Sequence, residues 1–265
     1  MLSILHFETH SLQVEIIILC IAAFAAGFVD AIVGGGGLIQ IPTALILLPQ
    51  YPVATVIGTT KIPSFCGTSI AAYQYSRHVE LNYKHLGLMT IIAGCSAFLG
   101  SFMLTKVSND FMKPLLIIVL SAIAIYTYRK KNFGVHKVKD HTTMQVRNYA
   151  IFISLIIGFY DGFIGPGTGS FLVWTFITLL GLDFLHASAD AKFVNLSTNI
   201  GSIFLFAITG KIIYAIALPM VVFNAAGGFV GSKLAILKGN SFIRIIFLCV
   251  VSATLLKLGY DYFLK

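Results

Sequence analysis

Two aspartates and two lysines stand where charge is costly. Asp30 and Asp161 lie inside apolar sequence, as do Lys61 and Lys192, and the second member of each pair follows the first by 131 residues. An ionisable group at membrane depth costs about 3 kcal/mol on insertion scales, so such groups pair with one another or line a wet path. Each acid is followed by glycines: Gly34, Gly35, Gly36 and Gly37 after Asp30, and Gly165, Gly167 and Gly169 after Asp161. Glycine lowers helix propensity by about 1 kcal/mol, permits positive φ, and leaves backbone N–H groups unshielded. Helix N-termini attract anions. These residue types suit one chemistry: lysines that draw in an anion, glycine N–H groups that contact it, and Asp30 or Asp161 as the carrier of a coupling proton. The alternative is structural, with Asp–Lys pairs that only tie the chain together and glycines that only let helices approach.

Neutral hydrogen-bonding groups cluster near both lysines. Thr59, Thr60, Ser64 and Thr68 surround Lys61, while Asn195, Ser197, Thr198 and Asn199 follow Lys192. Thr59, Thr60, Asn195 and Asn199 are candidate substrate ligands, with bonding to neighbouring helices as the alternative. Trp174 and the tyrosines suit packing and membrane interfaces. Cys20, Cys66, Cys95 and Cys249 have neither metal-ligand nor disulfide spacing. The glycine runs lack the Gly-Lys-Ser/Thr ending of a phosphate loop, and neither a His-Glu-x-x-His pattern nor a nucleophile elbow occurs. An enzyme, a resident cofactor and a bound metal are therefore not expected.

Composition fixes the elements that must hold these groups. The 265 residues are 57% hydrophobic and only 11% charged, with mean hydropathy +0.90. A soluble domain carries about 25% charged residues. The expected class is an all-α polytopic membrane protein, with the lipid bilayer as its surroundings. The net charge of +8 does not indicate nucleic acid, because the basic residues cluster in loops between apolar segments. Met1–Ser11 has no Lys or Arg, so no cleaved secretory leader is expected.

The repeat divides the chain. Residues 1–128 form a first transmembrane repeat, 129–147 a basic cytoplasmic linker, and 148–265 a second repeat. In the first, a helix over 12–33 is broken at 34–37 and followed by an apolar piece, 38–48, too short to span. Segments 54–75, 86–104 and 114–128 follow, the first of them kinked or broken at Pro63. The second repeat has segments 148–164, 170–181, 193–208, 212–232 and 242–260, with a polar loop carrying Asp183 and His186 before Lys192. With the linker inside, an odd number of crossings per half inverts the second repeat. Loops 77–84, 129–147 and 233–244 then carry 11 Lys/Arg against four on the outer side. Whether each half has five crossings, or three plus a re-entrant hairpin, is open.

Gly27-Phe28-Val29-Asp30-Ala31-Ile32-Val33-Gly34-Gly35-Gly36-Gly37-Leu38-Ile39, followed by Gly58-Thr59-Thr60-Lys61, resembles the first half of the sulfite exporter TauE/SafE family, also called the 4-toluene sulfonate uptake permease family. Gly158-Phe159-Tyr160-Asp161-Gly162-Phe163-Ile164-Gly165-Pro166-Gly167-Thr168-Gly169 and Ala191-Lys192-Phe193-Val194-Asn195 resemble its second half. The likeness covers roughly residues 15–262. The Asn-Lys ending of the family motif is here Thr60-Lys61 and Ala191-Lys192. The resemblance implies transport of small sulfur-containing anions such as sulfite, sulfonates and related organosulfur compounds, in a direction it does not specify. The reading is a proton-linked alternating-access carrier of a small anionic substrate in the cell inner membrane. A passive anion channel and a non-transporting assembly or partner-binding protein are the rivals. A homo-oligomer is compatible with the sequence, which does not decide it.

Overall fold

Glycine and proline decide where this chain stops being helical. The computed structural model describes residues 2–81, 83–112, 114, 115, 118 and 143–263. Most of the expected helix 114–128 and most of the basic linker lie outside them. Helix α1, Leu2–Val33, ends where the four glycines begin, and α2, Gly37–Leu47, resumes after them. Gly34 and Gly35 take φ of 69° and 116°, which a side chain would strain. Then come α3, Val53–Ser76, and α4, Tyr83–Lys106. The second half supplies α5, Thr143–Phe163, then α6, Thr168–Leu180, after a break in which Gly165 and Gly167 take φ of 91° and 83°. Last are α7, Phe184–Ile208, and α8, Tyr214–Phe263, which is interrupted at Gly239 with φ 65°.

All described secondary structure is helical, and four of the described helices are long and apolar enough to cross a bilayer. Large apolar side chains such as Ile17, Ile21, Ile91 and Val222 face outward, each more than half exposed. Such an outer face suits hydrocarbon and not water. At about 1.5 Å per residue, α2 with 11 residues falls well short of the roughly 30 Å hydrocarbon core. It runs back along α1, because Ala44 and Leu48 pack with Leu19, Cys20 and Ala23. The expected short arm is thus one limb of a hairpin.

One expectation is corrected and one is narrowed. The polar stretch around Asp183 and His186 is a helix start rather than a loop reaching Lys192. The Asp183 carboxylate accepts from the N–H groups of Leu185 and His186 at 2.9 and 3.0 Å, capping α7 nine residues before the expected start. Of the kink or break expected at Pro63, the break does not occur: α3 continues to Ser76. Threonine hydroxyls in this stretch bond carbonyls one turn back, Thr59 to Thr55 and Thr60 to Ile57.

The 131-residue offset persists in three dimensions. The starts of α2, α3 and α4 at Gly37, Val53 and Tyr83 map onto those of α6, α7 and α8 at Thr168, Phe184 and Tyr214. Close contacts map likewise. Gly27 abuts Asn224 and Gly231 abuts Phe28, joining α1 to α8, while Gly158 abuts Ala93 and Gly100 abuts Phe159, joining α5 to α4. A Cβ at any of these glycines would meet a backbone carbonyl, so the small residues set the helix spacing.

Candidate transport site

The two glycine breaks meet. Gly34 lies against Gly169, Gly37 against Pro166, and the Ser170 hydroxyl donates to the Gly34 carbonyl. The N-terminal ends of α2 and α6 are therefore brought together. Neither helix start has a side-chain cap; their N-cap residues are Gly36 and Gly167. The N–H groups of Leu38, Ile39 and Thr168 turn onto carbonyls of the breaks, while those of Gly37 and Gly169 have no acceptor among the described residues, so both ends still present donors.

Beside them the four charged residues form two ion pairs, and each pair joins the two halves. Lys61 Nζ lies 2.7 Å from Asp161 Oδ2 and 3.0 Å from the Asp161 carbonyl. Lys192 donates to the Asp30 carbonyl and lies 3.4 Å from Asp30 Oδ2. The offset maps one pair onto the other. Asp30 Oδ1 also accepts from the Gly35 N–H at 3.3 Å, and Oδ2 from the Thr68 hydroxyl at 3.3 Å. The Asp30 carboxylate is thus fastened to the break itself.

A cavity of about 40 Å³ opens at this junction. It has room for a few waters or one small oxyanion. Asp30, Asp161, Lys61, Thr60, Asn195 and Asn199 reach its wall, with Gly35, Gly36 and Gly37 from one break and Gly165, Gly167 and Gly169 from the other. Three expected site residues are not on the wall. Gly34 is packed against Gly169. Lys192 is fully buried behind Asp30. The Thr59 hydroxyl accepts from the Ile213 N–H at 3.0 Å and so fastens the turn before α8.

Three wall residues carried no signal strong enough to single them out. Gln40 donates to the Thr60 carbonyl at 3.3 Å, and Asn224 donates to Gln40 Oε1 at 2.9 Å. Each is a lone amide in apolar sequence, and the equivalent positions in the other half, Phe171 and Ala93, are apolar. The repeat therefore gives no pointer to either. Thr168, whose hydroxyl donates to the Gly165 carbonyl at 2.7 Å, is the third. Asn199 is 2% exposed and its amide nitrogen has no hydrogen-bond partner among the described residues. A buried donor left unmade costs about 1–3 kcal/mol. Since Asn199 reaches the cavity wall, this nitrogen is placed to donate into the cavity.

A family model for the sulfite exporter TauE/SafE matches residues 19–258. The chain belongs to the sulfite exporter TauE/SafE family. Among curated relatives, it is 36% identical over 243 residues to "Probable membrane transporter protein ORF9" of a Sinorhizobium species, covering 92% of each chain. It is 35% identical over 252 residues to "Probable membrane transporter protein YfcA" of Escherichia coli K12, covering 92% of this chain and 89% of the relative. A more distant relative, "Probable membrane transporter protein YdhB" of Bacillus subtilis, is 25% identical over 226 residues, covering 82% of this chain and 89% of the relative. No solved structure matches. This TauE/SafE chain is a multi-pass membrane transporter, and its apolar helices and outward-facing apolar side chains fit that placement.

Proposed function

We propose that this TauE/SafE protein is a secondary transporter of small sulfur-containing anions, sulfite or simple sulfonates, linked to proton movement and working by alternating access. One observation carries the reading: the cavity lies where two broken helices present uncapped N-termini beside Lys61 and the Asn199 amide nitrogen, which has no partner among the described residues. Broken helices meeting at a repeat interface are a recurrent form of transporter site. The donors suit the several oxygens of a sulfur oxyanion, and two carboxylates are at hand to hold a proton.

Alternating access between inverted halves is supported by helix direction. In α3 and α8 contacts advance together, Gly67 meeting Asn224 and Gln74 meeting Phe229. In α4 and α7 they also advance together, from Thr90 with Ser197 to Phe98 with Gly201. Residues 77–82 are too few to recross a bilayer, so α3 and α4 run oppositely. It follows that α3 opposes α7, its repeat counterpart.

Uptake of labelled sulfite and methanesulfonate into proteoliposomes, with and without a pH gradient, tests the reading. Saturable flux that responds to the gradient is expected. Flux without saturation or pH response would make the protein a passive anion channel, and no flux from folded protein would remove the substrate class.

A further inference from the structure

The two ion pairs are related by the repeat, yet they are not alike. Lys61 and Asp161 both reach the cavity wall, and their contact is a direct 2.7 Å ion pair. Lys192 does not reach it. It is fully buried, bonds the Asp30 backbone carbonyl, and stands farther from the carboxylate at 3.4 Å. Asp30 has two further donors, the Gly35 N–H and the Thr68 hydroxyl. Beyond Lys61, no donor to the Asp161 carboxylate is present among the described residues. Each lysine also bonds its partner's backbone carbonyl, Lys61 that of Asp161 at 3.0 Å. The carboxylates differ: that of Asp30 is held by Lys192, the Gly35 N–H and the Thr68 hydroxyl, and that of Asp161 by Lys61 alone among the described residues.

The cavity is also neutral as it stands, since two lysines face two aspartates. An anion entering beside them adds uncompensated charge at low dielectric, where that is costly. The accessible cation, Lys61, is already engaged by Asp161. We infer, resting on the anion-transport reading above, that the substrate displaces the Asp161 carboxylate from Lys61, that the released carboxylate takes up one proton from water, and that Lys192 and Asp30 stay closed as positioning residues. The step balances. Lys61 keeps its ammonium proton, the anion replaces the carboxylate as its partner, and Asp161 gains one proton. Charge in the cavity is unchanged for a monovalent anion. The site is therefore built for a monoanion, such as a sulfonate or hydrogen sulfite, that travels with one proton in the same direction.

The surroundings of Asp161 hold few other groups that could take this proton. Helix α3 supplies Lys61. On α5 itself is Tyr160, whose hydroxyl is committed to the Pro166 carbonyl at 2.6 Å. Helix α4 offers Ala97, Gly100 and Ser101 to this stretch of α5, and α6 offers Thr168. Across the cavity stand Asp30 of α1 and, behind it, Lys192 of α7.

The test is calorimetric binding of methanesulfonate, which holds one negative charge throughout, to detergent-purified full-length protein between pH 5.5 and 8.5. For the wild type, Kd should fall as pH falls, by up to about tenfold per pH unit. Titrations in two buffers of different ionisation enthalpy should return one proton taken up per anion bound. Asp161→Asn should bind with a pH-independent Kd, whereas Asp30→Asn should bind more weakly and keep the slope. A proton count near zero in the wild type overturns the inference without any variant. So does a slope that survives in Asp161→Asn or vanishes in Asp30→Asn. Absence of methanesulfonate binding to folded wild-type protein overturns instead the anion reading on which the inference rests.

Discussion

Lys61 and Asp161 are each almost fully buried, so removing one leaves the other charged and unpartnered. That costs about 3–5 kcal/mol, whereas removing both costs much less. Lys61→Ala is therefore expected to abolish anion transport and to lower thermal stability sharply. The double variant Lys61→Ala/Asp161→Ala should recover most of the stability but none of the transport. Melting in detergent alongside proteoliposome flux checks both, and recovered flux in the double variant would make the pair structural only. Asn199 calls for the opposite pattern. Its amide nitrogen has no partner among the described residues, so Asn199→Leu should leave stability unchanged or raised. If the amide bonds an anionic oxygen, affinity should fall by about tenfold or more, the scale of a hydrogen bond to a charged group. A lower melting temperature with unchanged affinity would assign Asn199 to packing.

The broken helices hold these side chains in place. At Gly34 two constraints coincide: φ is 69°, and a Cβ would strike the Gly169 backbone across the junction. Left-handed backbone alone costs a non-glycine residue about 1–2 kcal/mol. Gly34→Ala should therefore destabilise by more than that and impair transport, because the two breaks must separate to admit the methyl group. Gly87, in α4, has open space where a Cβ would go, and Gly87→Ala should stabilise by about 0.4–1 kcal/mol with flux unchanged. Equal effects of the two substitutions on melting temperature would show that the junction is not held by close packing. The hairpin arms differ in how they are fixed. Helix α2 is tied by the Gln40 and Asn224 amides to α3 and α8. Helix α6 carries Leu172, Val173 and Phe176 into the main apolar core.

For the whole molecule, inversion of the halves makes a prediction independent of substrate. His78 and Thr209 are exposed, occupy equivalent repeat positions, and follow the ends of α3 and α7. If the halves are inverted, the two lie on opposite faces of the membrane, with His78 inside. In a background free of the four native cysteines, Thr209→Cys should react with a membrane-impermeant thiol reagent added to intact cells. His78→Cys should react only after permeabilisation. Labelling of both from the same side would mean the halves are parallel. The membrane then decides what the small central cavity can take: with about 40 Å³ available, compact oxyanions should compete for transport and bulky aromatic sulfonates should compete poorly.

By itself the sequence determined the membrane class, the offset of 131, the breaks after Asp30 and Asp161, and the placement of both lysines in apolar sequence. It could do so because each of these is written as residue type against an apolar background. Charge inside a membrane segment is costly unless it is paired or wet, and a run of glycines weakens the helix wherever it falls. The tertiary structure alone decided the partners. Each lysine pairs with the acid of the other half, which no spacing along the chain reveals, since an ion pair depends on which helices meet. It also separated residues that read alike. Lys61 faces the cavity and Lys192 is buried; Thr60 lines the wall while Thr59, one residue earlier, fastens the turn before α8. Adjacent helical residues point about 100° apart, so packing direction divides them. Gln40 and Asn224 were hidden for the converse reason: a lone amide gains meaning only when folding sets it against another across 184 residues of chain.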